Sequence, residues 1–261
     1  MGKHTSVRVQ AKLYLAASRL TSWETAYESS REFAQQALSF YEACDDARGR
    51  ASALFQIGDS YYLQGEYTQA TRYLEETLQV QREFSEPRDY AFTLGRLGAI
   101  ATLQGDLNRA EVRLTEAATF FRQFGEQVRL NTMLTLLGVL AVVRGQFLSA
   151  LGPLREAMLL AEETRQHYNL AITLIPLGCA LGMTRSARDA ALICSAAEAL
   201  LVQLGSTVPP AYRPLYMMCL MSVKAHSDEE TWASWWKEGA SLSPAQAVVL
   251  ALEGCMHLLP A

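Results

Sequence analysis

The residues best suited to acid–base, nucleophilic or metal chemistry are scattered through this 261-residue chain rather than gathered. His4, His167, His226 and His257 show neither the HExxH nor the HxH spacing that puts two ligands on one metal. Cys44, Cys179, Cys194, Cys219 and Cys255 are odd in number and form no CxxC pair. That pattern argues for reduced, buried apolar residues rather than a zinc module or a disulfide framework. No GxSxG elbow and no GxxxxGKS/T phosphate loop occurs. The doublets Asp45-Asp46, Glu75-Glu76, Glu162-Glu163 and Glu229-Glu230 fall at expected helix ends and outer faces, as solubilising charge. No catalysis, cofactor or metal is expected. The chemistry left is recognition, and the elements that would organise it are unusually legible.

The run from Leu94 to Ala110 is copied forwards and backwards along the chain. Gly98 has counterparts at Gly58, Gly138 and Gly178, a constant step of 40 residues. Gly105 answers to Gly65 and Gly145, and Ala110 to Ala70, Ala150 and Ala190. A fixed period of this size is the mark of stacked supersecondary units. The glycines follow apolar residues three apart (Leu54/Ile57, Leu94/Leu97, Leu134/Leu137, Leu174/Leu177), a spacing that keeps them on one helix face. A helix-interior glycine costs about 0.5–1 kcal/mol against alanine, so four repetitions imply close approach by a second helix. The alanines at 70, 110, 150 and 190 are the expected contacts.

Hydrophobic residues make up 50% and charged residues 19%, enough for a packed interior. A net charge of −4 argues against a nucleic-acid or anionic-membrane surface. The apolar runs 130–143 and 170–183 are shorter than the ~20 residues of a membrane span and sit at one phase of the repeat, as buried helices. With no secretory signal, the expected location is cytoplasmic.

Five helix pairs are predicted: 7–22 with 26–44, 47–64 with 67–84, 88–104 with 107–124, 127–144 with 147–164, and 167–183 with 186–204. Met1-Gly2-Lys3-His4 is expected to lie outside the fold. The first pair is degenerate, with Ser18, Thr25 and Ser30 replacing the key glycine, the turn glycine and the alanine. Gly65, Gly105 and Gly145 supply left-handed turns, whereas Arg185 stands at that position in the fifth pair, so its turn must differ. Pro176 should bend the ninth helix. After Leu204 the period ends. Gly205 reads as a helix stop and Pro210 as an opener, and three shorter helices follow at 211–225, 228–238 and 244–252. The last starts with a capping box at Ser243-Pro-Ala-Gln246. Trp232 and Trp236, four apart, should pack these helices onto the fifth pair, with Trp235 off that face.

The pattern Leu54, Ile57, Gly58, Tyr61, Ala70, Leu74 and Thr77, repeated 40 residues on, resembles the tetratricopeptide repeat, whose usual period is 34. The tail, with Ala196 to Gly205, Val208 to Arg213, Trp236-Lys-Glu-Gly239 and Leu242 to Ala247, is similar to the C-terminal arm of bacterial STAND-class regulators of the LuxR/MalT type. These resemblances imply an all-α right-handed superhelix of five helix pairs (7–204) closed by a three-helix cap (205–261). They imply a non-catalytic sensor or interaction module of a signal-transduction ATPase. A free-standing scaffold is the alternative. The implied partners are a protein, peptide or small-molecule inducer in the concave groove, and an ATPase domain if the chain is a fragment. Neither nucleic acid nor membrane is implied, and a homodimer through the first repeat is open.

The repeat resemblance places Lys12, Leu15 and Arg19; Ser52, Phe55, Asp59 and Tyr62; Phe92, Ala99 and Thr102; Thr132, Thr135, Val139 and Val142; and Ile172, Ile175, Cys179 and Met183 on the groove face. Lysine there is too sparse for clamping an acidic peptide terminus. Phe, Ile, Val and Thr suit an apolar ligand, an amphipathic helix or a neighbouring segment. The binding set is taken as Arg19, Phe55, Asp59, Tyr62, Phe92, Thr132, Thr135, Val139, Ile172, Ile175 and Cys179. Charged replacements of Phe55, Phe92 or Ile175 are expected to abolish binding without unfolding.

Overall fold

A computed structural model describes residues 2–23, 26–83 and 87–258, and every regular element among them is an α-helix. Ten fall at the positions expected for the five pairs: α1 (Gly2–Trp23) and α2 (Tyr27–Ala43), α3 (Ala47–Gln64) and α4 (Tyr67–Arg82), α5 (Pro87–Gln104) and α6 (Leu107–Gln123), α7 (Gln127–Val143) and α8 (Phe147–Glu163), α9 (His167–Thr184) and α10 (Ala187–Gln203). Three shorter helices follow: α11 (Arg213–Lys224), α12 (Glu229–Ala240) and α13 (Pro244–Met256). The first helix extends back to Gly2 rather than starting at Val7. The expected turn residue Thr25 and helix end Phe84 lie outside the described residues. No described helix is long and apolar enough to cross a membrane.

The turns explain the period. Gly65, Gly105 and Gly145 have φ of 86°, 84° and 71°, the left-handed region that ends a helix without a Cβ clash. Arg185 does not adopt it. Its φ is −137°, α9 runs on to Thr184, and the N–H groups of Arg185 and Ser186 both reach the Leu181 carbonyl. A second left-handed position recurs between repeats at Asp45, Gly125, Arg165 and Gly205. Of these, the sequence pattern singles out Gly205 alone.

Packing divides the chain into two units. The first holds residues 1–106 with 209–211. Its degenerate repeat keeps small residues at the close contacts and adds hydrogen bonds. The Ser18 hydroxyl donates to the Ser30 carbonyl (2.6 Å), and the Ser30 and Ser60 hydroxyls bond at 3.0 Å, all three fully buried. Asp46 is more than surface charge: it caps α3 by accepting from Gly49 N–H (3.0 Å) and pairs with Arg8 at 3.0 Å. Ala211 donates its N–H to the Leu63 carbonyl (3.1 Å) and accepts from the Tyr67 hydroxyl (3.3 Å).

The second unit comprises residues 107–208 and 212–261. Its core runs from Leu151, Leu154 and Met158 on α8 through Leu174 and Leu177 on α9 to Cys194 and Ala197 on α10, and on to Ala247 and Ala251 on α13. α9 remains one unbroken helix across Pro176. α12 lies against α10 with Trp232 beside Ala190 and Ala191, its ring stacked on Trp236 at 5.7 Å, and Trp235 half-buried against the same residues. Gly239 lets the two backbones meet: a Cβ there would stand 2.5 Å from the Leu192 carbonyl oxygen. α11 starts at Arg213 with Pro214 as its opener, later than the proline at 210 suggests. The Ser243 capping box forms as expected, with Gln246 N–H to Ser243 Oγ at 3.3 Å and Ser243 N–H to Gln246 Oε1 at 2.8 Å.

Three of the repeated glycines, Gly58, Gly138 and Gly178, sit where a second helix presses in, but the nearest partner is not the repeated alanine. A Cβ on Gly58 would stand 2.8 Å from Leu74 Cγ, one on Gly178 2.7 Å from Cys194 Sγ, and one on Gly138 would overlap the Leu154 side chain. Ala190 instead faces Gly182, one turn further along α9. Gly138→Ala should therefore destabilise the protein by about 1–3 kcal/mol, since overpacking outweighs the helix-propensity gain. Thermal unfolding would show a lower midpoint; an unchanged or raised one would mean the helices do not need this closeness.

Candidate recognition faces

In the first unit, α3 and α5 bring four of the expected residues together. Phe55 and Phe92 are half-buried with ring centroids 5.5 Å apart. Asp59 and Tyr62, one and two turns along α3, are buried beside them. A fifth residue, outside the set expected from sequence, joins the group: Arg96 Nε lies 2.7 Å from Asp59 Oδ1. Its guanidinium sits 5.2 Å from the Phe92 ring centre and 5.4 Å from that of Tyr62. Arg96 comes directly before the Leu97-Gly98 pair, at the register of Gln56 and Leu136, and only its charge amid the otherwise uncharged run from Tyr90 to Gln104 could have flagged it. Burial pushes the Asp59 carboxyl up from its ordinary value, and Arg96 opposes that rise. Arg19 is not part of this cluster. It is exposed on α1, where it lines an open depression with Lys12, Leu15, Ala16, Leu20 and Tyr41.

In the second unit, Thr135 and Val139 of α7 and Ile172, Ile175 and Cys179 of α9 also come together, with Val142 and Pro176. Their face is filled from within the same chain. Val208, Tyr212, Leu215, Tyr216 and Cys219 close over it and leave about 30 Å³, room for one or two waters. Thr135 bonds Thr173 at 2.8 Å and the Asn131 carbonyl at 3.0 Å, so the hydroxyls are satisfied internally. Thr132 lies half-buried on α7 outside this set, its hydroxyl turned to the Val128 carbonyl. Ile175 is 6% exposed in the core, so a charge there tests packing rather than binding.

Three cysteines that look unrelated in sequence meet here. Cys179, Cys194 and Cys219 come from α9, α10 and α11. Contact with the Cys194 thiol and burial push the Cys179 thiol well up, and contact with Cys179 and burial push Cys219 up. Cys179 and Cys219 therefore stay thiols at neutral pH, and all three act as soft packing groups. Burial likewise raises Cys255, to about 11. Among the described residues no group of three or more His, Cys, Asp or Glu is placed to hold a metal ion. Burial and the nearby Cys194 and Glu198 raise the Tyr216 hydroxyl as well.

Stacked helical hairpins with residue-specific inner faces define a helical-repeat binding fold. Residues 49–123 match the family model described as tetratricopeptide repeat. Among curated proteins, none matches the sequence. Among solved structures, a Rap protein complexed with competence and sporulation factor is similar at a TM-score of 0.59 and 14% identity, over 96% of this chain and 64% of that one. This chain thus spans just under two thirds of that protein. A point variant of a Podosopora anserina putative kinesin light chain with nearly identical TPR-like repeats gives a TM-score of 0.49 at 13% identity, over 86% of this chain and 96% of that one.

The Arg96–Asp59 pair gives a pH-dependent prediction. Arg96→Met strands a buried carboxylate and should cost about 3 kcal/mol at pH 7.5 in urea unfolding. Because burial raises the Asp59 value, the protonated form fits the fold better. The deficit is therefore absent at low pH and grows as pH rises through the folded-state value. Adding Asp59→Asn should remove most of the deficit and its pH dependence. A deficit that is the same at pH 5 and pH 7.5 would mean Arg96 acts only by packing on the rings.

Proposed function

We propose that this chain is a non-catalytic recognition module whose repeat array, 7–204, binds a protein or peptide on the first-helix face, with 205–261 as its cap. The observation that carries this reading is the convergence of Phe55, Asp59, Tyr62 and Phe92, drawn from two repeats, into one aromatic and charged cluster. Aromatic rings give apolar contact at low entropic cost, and a paired charge fixes orientation. The tetratricopeptide region is a protein-interaction architecture, and the similar Rap fold is seen with a bound factor, which supports a peptide ligand here. The tail resemblance supports a finer reading: a sensor arm of a STAND-type, LuxR/MalT-like regulator, acting in the bacterial cytoplasm and passing the bound state to an ATPase domain.

A thermal-shift screen of peptides and small metabolites tests it, since a ligand of the folded state raises the melting temperature. Phe55→Asp and Phe92→Asp should each abolish the shift while the ligand-free protein melts within a few degrees of wild type. Retained shifts in both variants, or ATP hydrolysis by the chain alone, would count against the module.

A specific observation favours a second reading, a self-associating scaffold. α1 exposes Val9, Leu13 and Leu20 along one stripe, whereas Ala53 and Ser60, 40 residues beyond Leu13 and Leu20, are fully buried. Lys12 and Arg19 flank that stripe, so two copies of it would oppose like charges. Self-association through it should be weak and tighten with salt. Light scattering should show dimer at high concentration in wild type and monomer in Leu13→Glu; a monomer throughout removes this reading.

A further inference from the structure

The segment seated on α7 and α9 has the form of a ligand. Tyr212, Leu215, Tyr216 and Cys219 line the seat, and their spacing is i, i+3, i+4 and i+7. That is the anchor pattern of an amphipathic helix lying in an apolar groove. The segment lies outside the 40-residue repeat, so it covers a face the array itself leaves open. Its polar ends bond within the cap: Arg213 Nε donates to the Val208 carbonyl (2.9 Å), and Lys224 pairs with Glu229 (2.8 Å). Only Tyr216, Cys219 and Val223 of α11 are buried. The opposite face shows Met217, Met218 and Met221, exposed by 53%, 59% and 68%. A twelve-residue helix that is apolar nearly all round gains little from solvent on its outer side, and beyond the seat its hold is Val223, packed beside Gly182, Ala190 and Trp232. The fit at the seat is incomplete, with about 30 Å³ unfilled.

We infer that the α7–α9 face is a helix-binding site, occupied in cis by α11, which exchanges for a partner's amphipathic helix carrying apolar residues at i, i+3, i+4 and i+7. The inference rests on the recognition-module reading and gives its second face a ligand class. A carboxylate on the partner's inward side would meet Glu198, which already faces the Tyr216 hydroxyl, so the incoming helix is neutral or basic there. The thiol contact of Cys219 with Cys179 tolerates such exchange better than interlocked branched side chains do. The tethered segment competes at millimolar effective concentration, so a free helix must bind tightly or the tether must loosen first.

Two measurements on the full chain test this. In hydrogen exchange of the wild-type protein, amides of 213–224 should exchange at least about 100-fold faster than those of α9 and α10. Protection of α11 equal to that of α9 would overturn the inference, whatever the Phe55 and Phe92 variants do. The probe for the second is a fluorescein-labelled synthetic peptide of residues 206–224. It should bind the Tyr216→Asp chain, whose own anchor is lost, at least tenfold more tightly than it binds wild type. A folded Tyr216→Asp chain, judged by circular dichroism, that ignores the peptide would overturn the ligand class. Should that variant fail to fold, the wild-type exchange data still decide.

Discussion

Everything in this fold depends on how near the second helix of a repeat can come to the first. At Gly58, Gly138 and Gly178 the approach is so tight that one methyl group would collide with Leu74, Leu154 or Cys194. Dispersion and the exclusion of water both reward that closeness, and the lost helix propensity is small beside it. The cap obeys the same constraint, with Gly239 pressing backbone on backbone at Leu192. At these positions glycine marks distance rather than flexibility, and at the turns it marks a left-handed φ.

Once helices are held by a small-residue seam, the remaining faces are free to differ between repeats. The seam keeps its character even in the first pair: Ser18 and Ser30 remain small and add hydrogen bonds that glycine and alanine cannot make. The inner faces do not keep theirs. In the first unit that face carries rings and an Arg–Asp pair; in the second it carries Val, Ile, Thr and Cys. A paired charge under aromatic rings gives orientation, while a uniform apolar face gives affinity with little direction.

What can be read in advance follows from which interactions are local. Helix positions come from a repeated glycine, two apolar residues and a turn, all within 12 residues of one another, so they agree with the structure to within a few residues except at the ends of the chain. The Ser243 cap and the altered turn at Arg185 are legible for the same reason. Long-range facts are not. The partner of each glycine depends on how one helix slides along another, and a slip of one turn replaces Ala70 by Leu74 without altering the period. Arg96 escapes notice because a repeat template weighs shared positions, and this charge has no counterpart in the other units. The three thiols carry no spacing signal because each comes from a different helix.

The least legible fact is that the apolar inner face of α7 and α9 is already filled. A sequence shows that such a face exists, since Val139, Ile175 and Cys179 recur at the groove register. It does not show what lies on it, because the covering segment has no period of its own. Yet the cover could hardly have been absent. Several apolar side chains facing water would cost roughly 25 cal/mol for each Å² left exposed, and a protein bearing such a patch aggregates or finds a partner. The first unit's face avoids that problem by pairing charge with its rings. The second avoids it by supplying its own helix, so its resting occupant doubles as a template for the chemistry that face accepts.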